Sequence, residues 1–253
     1  MDEPAPAIDL NADVGERPGD VGVADDEAIM AGVSSVNIAC GFHAGDGETM
    51  RRLCEAAVLH RKAIGAHVSF LDREGFGRRD LEVEASLLRD HVAQQIAALQ
   101  ATAVVAGGRV CYVKPHGALY HRAVADPVYA EAIASAAAPA HPAGARTGPN
   151  HAPLALLAPP GSELLRAAAA HSIAGVSEGF ADRAYRPDGT LVPRGEPGAV
   201  LEPMQVLDQA VELARAGRFR SLCVHSDTPG AAELAVALRN RLIGAGFEIR
   251  PFA

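Results

Sequence analysis

The sequence predicts an α/β fold, an irregular seven-stranded β/α barrel, on three observations. Strand-like and helix-like segments alternate throughout the 253 residues. Nearly every strand-like segment is short and continuously apolar, the pattern of a parallel sheet covered by helices. Polar residues follow the strand ends along the whole chain: Asp13, Asn37 with His43, His67, Lys114 with His116, Glu178 with Asp182, and His225 with Asp227. A doubly wound open sheet gathers its site at one switch point, whereas a ring of strands gathers it from every strand.

Ala7 to Leu10 is the first strand and runs into Asn11-Ala12-Asp13-Val14-Gly15-Glu16. Arg17 to Ala24, with its Pro and Gly, reads as a loop, and Asp25 to Ala31 as a short helix. The second strand starts at Val33 and leads into Asn37-Ile38-Ala39-Cys40-Gly41-Phe42-His43-Ala44-Gly45-Asp46. Asp46 is placed to cap the next helix, whose Met50, Leu53, Cys54, Ala57 and Val58 recur at helical spacing. Ala63 to His67 is the third strand. A loop, Gly75-Phe76-Gly77-Arg78-Arg79, precedes a long helix from Glu84 to Val105 that Gly107-Gly108 ends.

Val110 to Val113 is the fourth strand, followed by Lys114-Pro115-His116-Gly117. Asp126-Pro127 gives a cap with proline at the first helical position, opening a helix to about Ala138. The Pro-, Gly- and His-rich stretch Pro139 to Pro153 reads as a long loop. Leu154 to Ala158 and Ile173 to Val176 are strands five and six, separated by a helix to about His171. Tyr185 to Val200, with Pro187-Asp188-Gly189 as a turn, reads as a protruding hairpin or lid. A helix from Pro203 to about Ala216 and the strand Ser221 to Val224 follow. A last helix starts at Thr228-Pro229, and Phe247 to Ile249 adds a terminal strand. All 253 residues are expected to form one barrel domain, with 139–153 and 185–200 as long loops.

Hydrophobic residues are 49 % of the chain and charged residues 21 %, enough apolar material for a sizeable core. The net charge of -8 argues against nucleic acid or an anionic membrane as partner. Cys40, Cys54, Cys111 and Cys223 are scattered, as buried thiols of a reducing compartment would be. Met1-Asp2-Glu3-Pro4 lacks an apolar run, and no run approaches a membrane span. The expectation is a soluble cytoplasmic protein acting on a small molecule.

Asp13, His43, His67 and His116 are of the types that bind a divalent ion able to acidify water. Lys114 admits two readings, a Schiff-base lysine or an anion-binding one, and Pro115-His116 with the histidine-rich strand ends favour the second. Arg78 and Arg79 are further candidates for an anion. Asp13, Glu178, Asp182 and His116 are all eligible as general acid or base. No glycine-rich loop with a following Lys-Ser or Lys-Thr is present, so a self-contained nucleotide site is not visible.

Several motifs together resemble the LamB/YcsF family. They are Asp9-Leu10-Asn11-Ala12-Asp13-Val14-Gly15-Glu16, Asn37 to Asp46, Gly65-Ala66-His67, Gly75-Phe76-Gly77-Arg78-Arg79, Lys114-Pro115-His116-Gly117-Ala118-Leu119-Tyr120 and Phe180-Ala181-Asp182-Arg183-Ala184-Tyr185. The resemblance runs in order from Ile8 to Asp227. It implies a barrel of the glycoside hydrolase/deacetylase type and the 5-oxoprolinase reaction, ATP-dependent hydrolytic opening of 5-oxo-L-proline to L-glutamate. It also implies partner subunits B and C. On that chemistry Asp13 is base or metal ligand, His116 the acid, and Lys114 with Arg78 or Arg79 the anion clamp. Asn11, Asn37, His43, Glu178 and Asp182 then complete the substrate site, and Asp13, His43 and His67 form the metal set. The sequence departs from the family at Val68 and Leu71, where prolines are usual, at His121 in place of asparagine, and at Ser226 in place of glycine. Two alternatives stay open: a metal-dependent deacetylase of an N-acetyl sugar, and a ligand-binding subunit without turnover.

Overall fold

A computed structural model describes residues 5–17, 19–138, 154–226 and 230–253. Seven parallel strands form the barrel: β1 (Ala7–Val14), β2 (Ser35–Ala39), β3 (Ala63–Val68), β4 (Val110–Pro115), β5 (Ala155–Ala158), β6 (Gly175–Phe180) and β7 (Ser221–Cys223). Each pairs with the next, and β1 closes the ring by pairing with both β2 and β7. A short β8 (Glu248–Ile249) pairs with the first two residues of β1. Around the barrel run α1 (Gly19–Ile29), α2 (Gly47–Leu59), α3 (Ala85–Val105), α4 (Gly117–Ala125), α5 (Pro127–Ala137), α6 (Glu163–Ala170), α7 (Pro203–Arg215) and α8 (Ala231–Gly244). Among the described residues no helix is long and apolar enough to cross a membrane.

Helix starts follow side-chain chemistry. Asp46 accepts from the Thr49 N–H to cap α2, Asp126 caps α5 ahead of Pro127, and Glu202 with Gln205 forms a capping box on α7. Two elements differ from the sequence expectation. The α1 helix begins at Gly19, inside the stretch expected to be a loop, where burial of Val23 and Ile29 outweighs the glycines' poor propensity. The α4 helix has no counterpart among the expected elements. It starts directly after β4 because Gly117 takes φ +55 against the Gly77 backbone, and the Ala118 N–H donates to the Gly77 carbonyl. That contact clamps the Gly75-to-Arg79 loop beside His116.

Most strands run further than their apolar stretches. On β1, Ile8, Leu10, Ala12 and Val14 join the apolar core, while the alternate residues Asp9, Asn11 and Asp13 enter buried polar networks. Asn37, His67, Lys114 and Glu178 likewise lie within β2, β3, β4 and β6 rather than beyond their ends. Polar residues that look like strand terminators are therefore the inward-facing positions of the barrel. The segment from Arg183 to Val200 folds back on itself through the antiparallel bridges Arg183–Val200 and Tyr185–Leu191. The Pro139-to-Pro153 loop, Asp227 and Thr228-Pro229 lie outside the described residues.

Candidate active site

The barrel interior is polar and built in levels. At the bottom, Asp9 accepts from the hydroxyls of Ser34 (2.7 Å), Ser35 (2.6 Å) and Ser221. Above it, Tyr112 crosses the barrel to donate to Asn37 Oδ1 at 2.6 Å. It can do so because Gly65, opposite it on β3, has no Cβ; one there would overlap the tyrosine ring. Asn37 donates to both Asn11 and Asp13 at 2.7 Å, and Asn11 donates to Glu178 at 3.1 Å. Lys114 Nζ lies 3.0 Å from Asp13, 2.9 Å from Glu178, 3.2 Å from Asn11 Oδ1 and 3.1 Å from Cys223 Sγ.

Burial drives the Lys114 ammonium toward neutrality, but Asp13, with Cys223 and Glu178 beside it, outweighs this and holds its pKa well above the ordinary lysine value. Lys114 is thus a fixed cation. That removes the Schiff-base reading, which needs a free amine. Asp13 feels the reverse: burial raises its pKa, and His67 and Lys114 overcome this to hold it well below the usual range. Asp9 has only hydroxyls, and burial prevails, pushing its pKa from 3.8 up to about 6.

The Asp9 shift yields a stability prediction. A carboxyl with a raised folded-state pKa stabilises the fold below its unfolded pKa, and this contribution fades as pH rises through about 6. Asp9→Asn, which cannot ionise, is expected to be more stable than the parent at pH 7.5 by about 1–3 kcal/mol. The gap should close at pH 4. Urea unfolding at both pH values tests this, and a variant less stable at pH 7.5 would show the ionised form is welcome there.

At the carboxyl end of the barrel three imidazoles meet Glu16. His43 Nε2 lies 3.1 Å, His67 Nε2 3.4 Å and His116 Nδ1 3.0 Å from Glu16 Oε1. The His43 and His116 rings stack at 3.9 Å, and His67 stands edge-on to both. Burial pulls His43 down to about 4, assisted by its neighbour His116. His67 is raised to about 9 because Asp13 and Glu16 outweigh its burial. Burial would raise Glu16, yet hydrogen bonds from His116, His43 and His67 hold it well below the usual carboxylate range.

A cavity of about 750 Å³ opens onto this end, with Asp13, Glu16, His67, Lys114 and His116 in its wall. Its rim carries Arg78, Arg183, Arg194 and the folded-back segment's Leu191 to Pro193. Across from the histidine cluster is His225, which stacks on Phe180. Asp182 accepts from the His225 backbone N–H at 3.0 Å and contacts its Nδ1 at 2.9 Å, and so fixes the ring. A carboxylate on Nδ1 leaves Nε2 for proton transfer with a bound molecule.

Of the residues expected at the site, Asp13, His67, Arg78, Lys114 and His116 line the cavity. Asn11, Asn37 and Glu178 are buried beneath it and act on Asp13 and Lys114. His43 lies behind Glu16, and Asp182 behind His225. Arg79 points away: it is 58 % exposed and pairs with Asp72 (3.5 Å) and Glu74 (3.6 Å), so it braces the loop rather than clamping an anion. Of the two carboxylates, Glu16 and not Asp13 sits among the imidazoles. Glu16 and Tyr120 are site residues that sequence reasoning does not single out, although both lie in quoted motifs; His225 counts there only among the polar strand ends. Gly15, at φ +79, is the turn that brings Glu16 over the barrel mouth. His121 and Ser226 both reach the cavity, Val68 is buried within β3, and Leu71 is 59 % exposed and touches nothing in the site.

The LamB/YcsF family model matches residues 8–253. The chain belongs to the LamB/YcsF family. Among its relatives is the 5-oxoprolinase A-subunit of Streptomyces griseus, 50 % identical over 259 residues, covering 97 % of this chain and all of the relative. Among solved structures, the lactam utilization protein of Thermus thermophilus is 34 % identical with a TM-score of 0.83, covering 97 % of this chain and all of that one. The catalytic domain of a peptidoglycan N-acetylglucosamine deacetylase from Eubacterium rectale shares the fold alone, at 9 % identity and TM-score 0.52, covering all of this chain and 91 % of that one. The barrel thus shares its fold with that deacetylase domain.

Proposed function

We propose that the chain is the A-subunit of a cytoplasmic 5-oxoprolinase, which opens 5-oxo-L-proline to L-glutamate at the expense of ATP together with subunits B and C. The observation that carries the reading is the pairing of a fixed cation, Lys114, with an ionised carboxylate, Asp13, 3.0 Å apart in a cavity wall facing His225. The near full-length likeness to a 5-oxoprolinase A-subunit supports it.

A lactam resists water because resonance makes its C–N bond partly double. Transfer of a phosphoryl group from ATP to the lactam oxygen removes that resonance and places negative charge on the substrate. Lys114 and Arg78 answer the charges of phosphoryl group and carboxylate. Asp13 takes a proton from the attacking water as it adds to the ring carbon. The C–N bond then breaks, leaving a glutamyl phosphate that a second water hydrolyses to L-glutamate and inorganic phosphate, and the nitrogen released at the break needs a proton. His225, held by Asp182, supplies it in this reading, in place of the expected His116. His116 is less suited, because its Nε2 donates to the Phe76 carbonyl at 2.9 Å and its Nδ1 faces Glu16 and His67.

The sequence has no phosphate loop of the Walker type, so a partner completes the phosphorylation site, and the folded-back 185–200 segment at the cavity rim is the docking surface nearest the chemistry. The purified chain is expected neither to hydrolyse ATP nor to open 5-oxoproline, and adding B and C should restore both activities together. Glutamate and phosphate release, each with and without the partners, are the measurements. ATP-coupled glutamate formation by the chain alone would overturn the division of labour. ATP-free deacetylation of an N-acetyl sugar would overturn the substrate.

A further inference from the structure

We infer that Glu16, His43, His67 and His116 form a binding site for one divalent first-row transition metal of the zinc class. The inference does not depend on the 5-oxoprolinase reading, and it replaces the set Asp13, His43 and His67 expected from sequence.

His67 Nδ1 lies 3.1 Å from the Lys114 carbonyl, which only accepts, so Nδ1 carries a hydrogen and Nε2 is the nitrogen turned to the cluster, able to bind a metal once it gives up its proton. His116 Nε2 lies 2.9 Å from the Phe76 carbonyl, which leaves the lone pair on Nδ1. His43 Nδ1 lies 2.9 Å from Ser69 Oγ, whose own hydrogen goes to the Phe70 carbonyl, which leaves the lone pair on Nε2. Each imidazole is therefore fixed by an acceptor behind it, the arrangement that orients metal-binding histidines.

The three nitrogens turned to the cluster point at one carboxylate oxygen, and those of His67 and His116 also face each other at 3.1 Å. An anionic oxygen with three ring nitrogens converging on it needs positive charge among them, as protons or as an ion. Supplying it with protons alone would require an imidazolium at each contact with Glu16, including two rings stacked at 3.9 Å. One divalent ion meets all four at once. Tetrahedral bonds of roughly 2.0–2.1 Å place neighbouring ligands about 3.3 Å apart. Four of the six separations among these atoms, 3.0 to 3.4 Å, match. Three nitrogens and one oxygen favour zinc-class ions over magnesium or calcium, which prefer oxygen.

The test is metal content of the intact chain. Protein stripped with a chelator, loaded with Zn2+ and dialysed against metal-free buffer should retain about one equivalent by mass spectrometry, and none when Mg2+ is substituted. Co2+ should give the visible d–d band of a low-coordinate nitrogen-rich site. Glu16→Gln and His116→Ala should each weaken Zn2+ binding by about 100-fold or more, since even outer partners cost 10–100-fold. Cys223→Ser should leave binding unchanged, although Cys223, Asp13 and His225 form a second convergent group. Folded wild-type chain that retains no Zn2+ would overturn the site without any variant. Retention by Glu16→Gln with His116→Ala combined, or loss in Cys223→Ser, would overturn the ligand set.

Discussion

Asp13→Asn is expected to lower turnover of the reconstituted enzyme by about 10²–10⁴-fold, the range a general base contributes. The substitution keeps the shape and an oxygen acceptor, so the donations from Asn37 and Lys114 both survive. Lys114 also keeps its second counter-charge, Glu178, at 2.9 Å. The fold should therefore lose only about 1–2 kcal/mol, less than breaking an isolated buried pair. What disappears is the ionised carboxylate that sits beside Lys114 in the cavity wall and can take a proton from water. Steady-state kcat in the complex, with urea unfolding of the isolated chain, separates the two effects. Near-normal kcat would remove Asp13 from the mechanism.

The barrel is legible in the sequence because βα units repeat and each strand carries a run of β-branched and aliphatic residues. The depth of the site is not. Asn37, Lys114 and Glu178 break those runs, and from sequence a break reads as a strand end. In the barrel they are inward positions whose polarity is matched across the lumen, as when Tyr112 of β4 reaches Asn37 of β2. Such pairing is set by barrel closure, and no local spacing encodes it. The role of Glu16 and the pairing of His225 with Asp182 escape sequence reasoning for a related reason. Glu16 lies 27 residues from His43 and His225 lies 43 from Asp182, so only the fold reveals the company they keep. Conversely Arg79 looks equivalent to Arg78 in the chain, and the turn between them sends one to the cavity and the other to Asp72.

Lys114→Met separates charge balance from chemistry more sharply than any other change in the barrel. The ammonium is 2 % exposed and lies within 3.0 Å of two carboxylates, Asp13 and Glu178. Methionine fills the same volume but leaves both carboxylates buried without their cation. Removing one partner of a buried pair costs about 3–5 kcal/mol, and the variant should lose at least that much stability along with all activity. A second substitution, Glu178→Gln, removes the surplus charge while its amide still hydrogen-bonds Asn11 and Tyr120. Asp13 then retains His67, whose Nε2 is 3.5 Å away, as its positive neighbour. The double variant should recover about 2–3 kcal/mol relative to the sum of the single changes, the upper range of coupling for contacting residues. It should still be inactive, because an apolar side chain cannot answer the charge on a phosphorylated lactam. If stability and turnover returned together, Lys114 would be a structural counter-ion only. If neither changed in Lys114→Met, the buried triad would not hold the barrel in the way its distances imply.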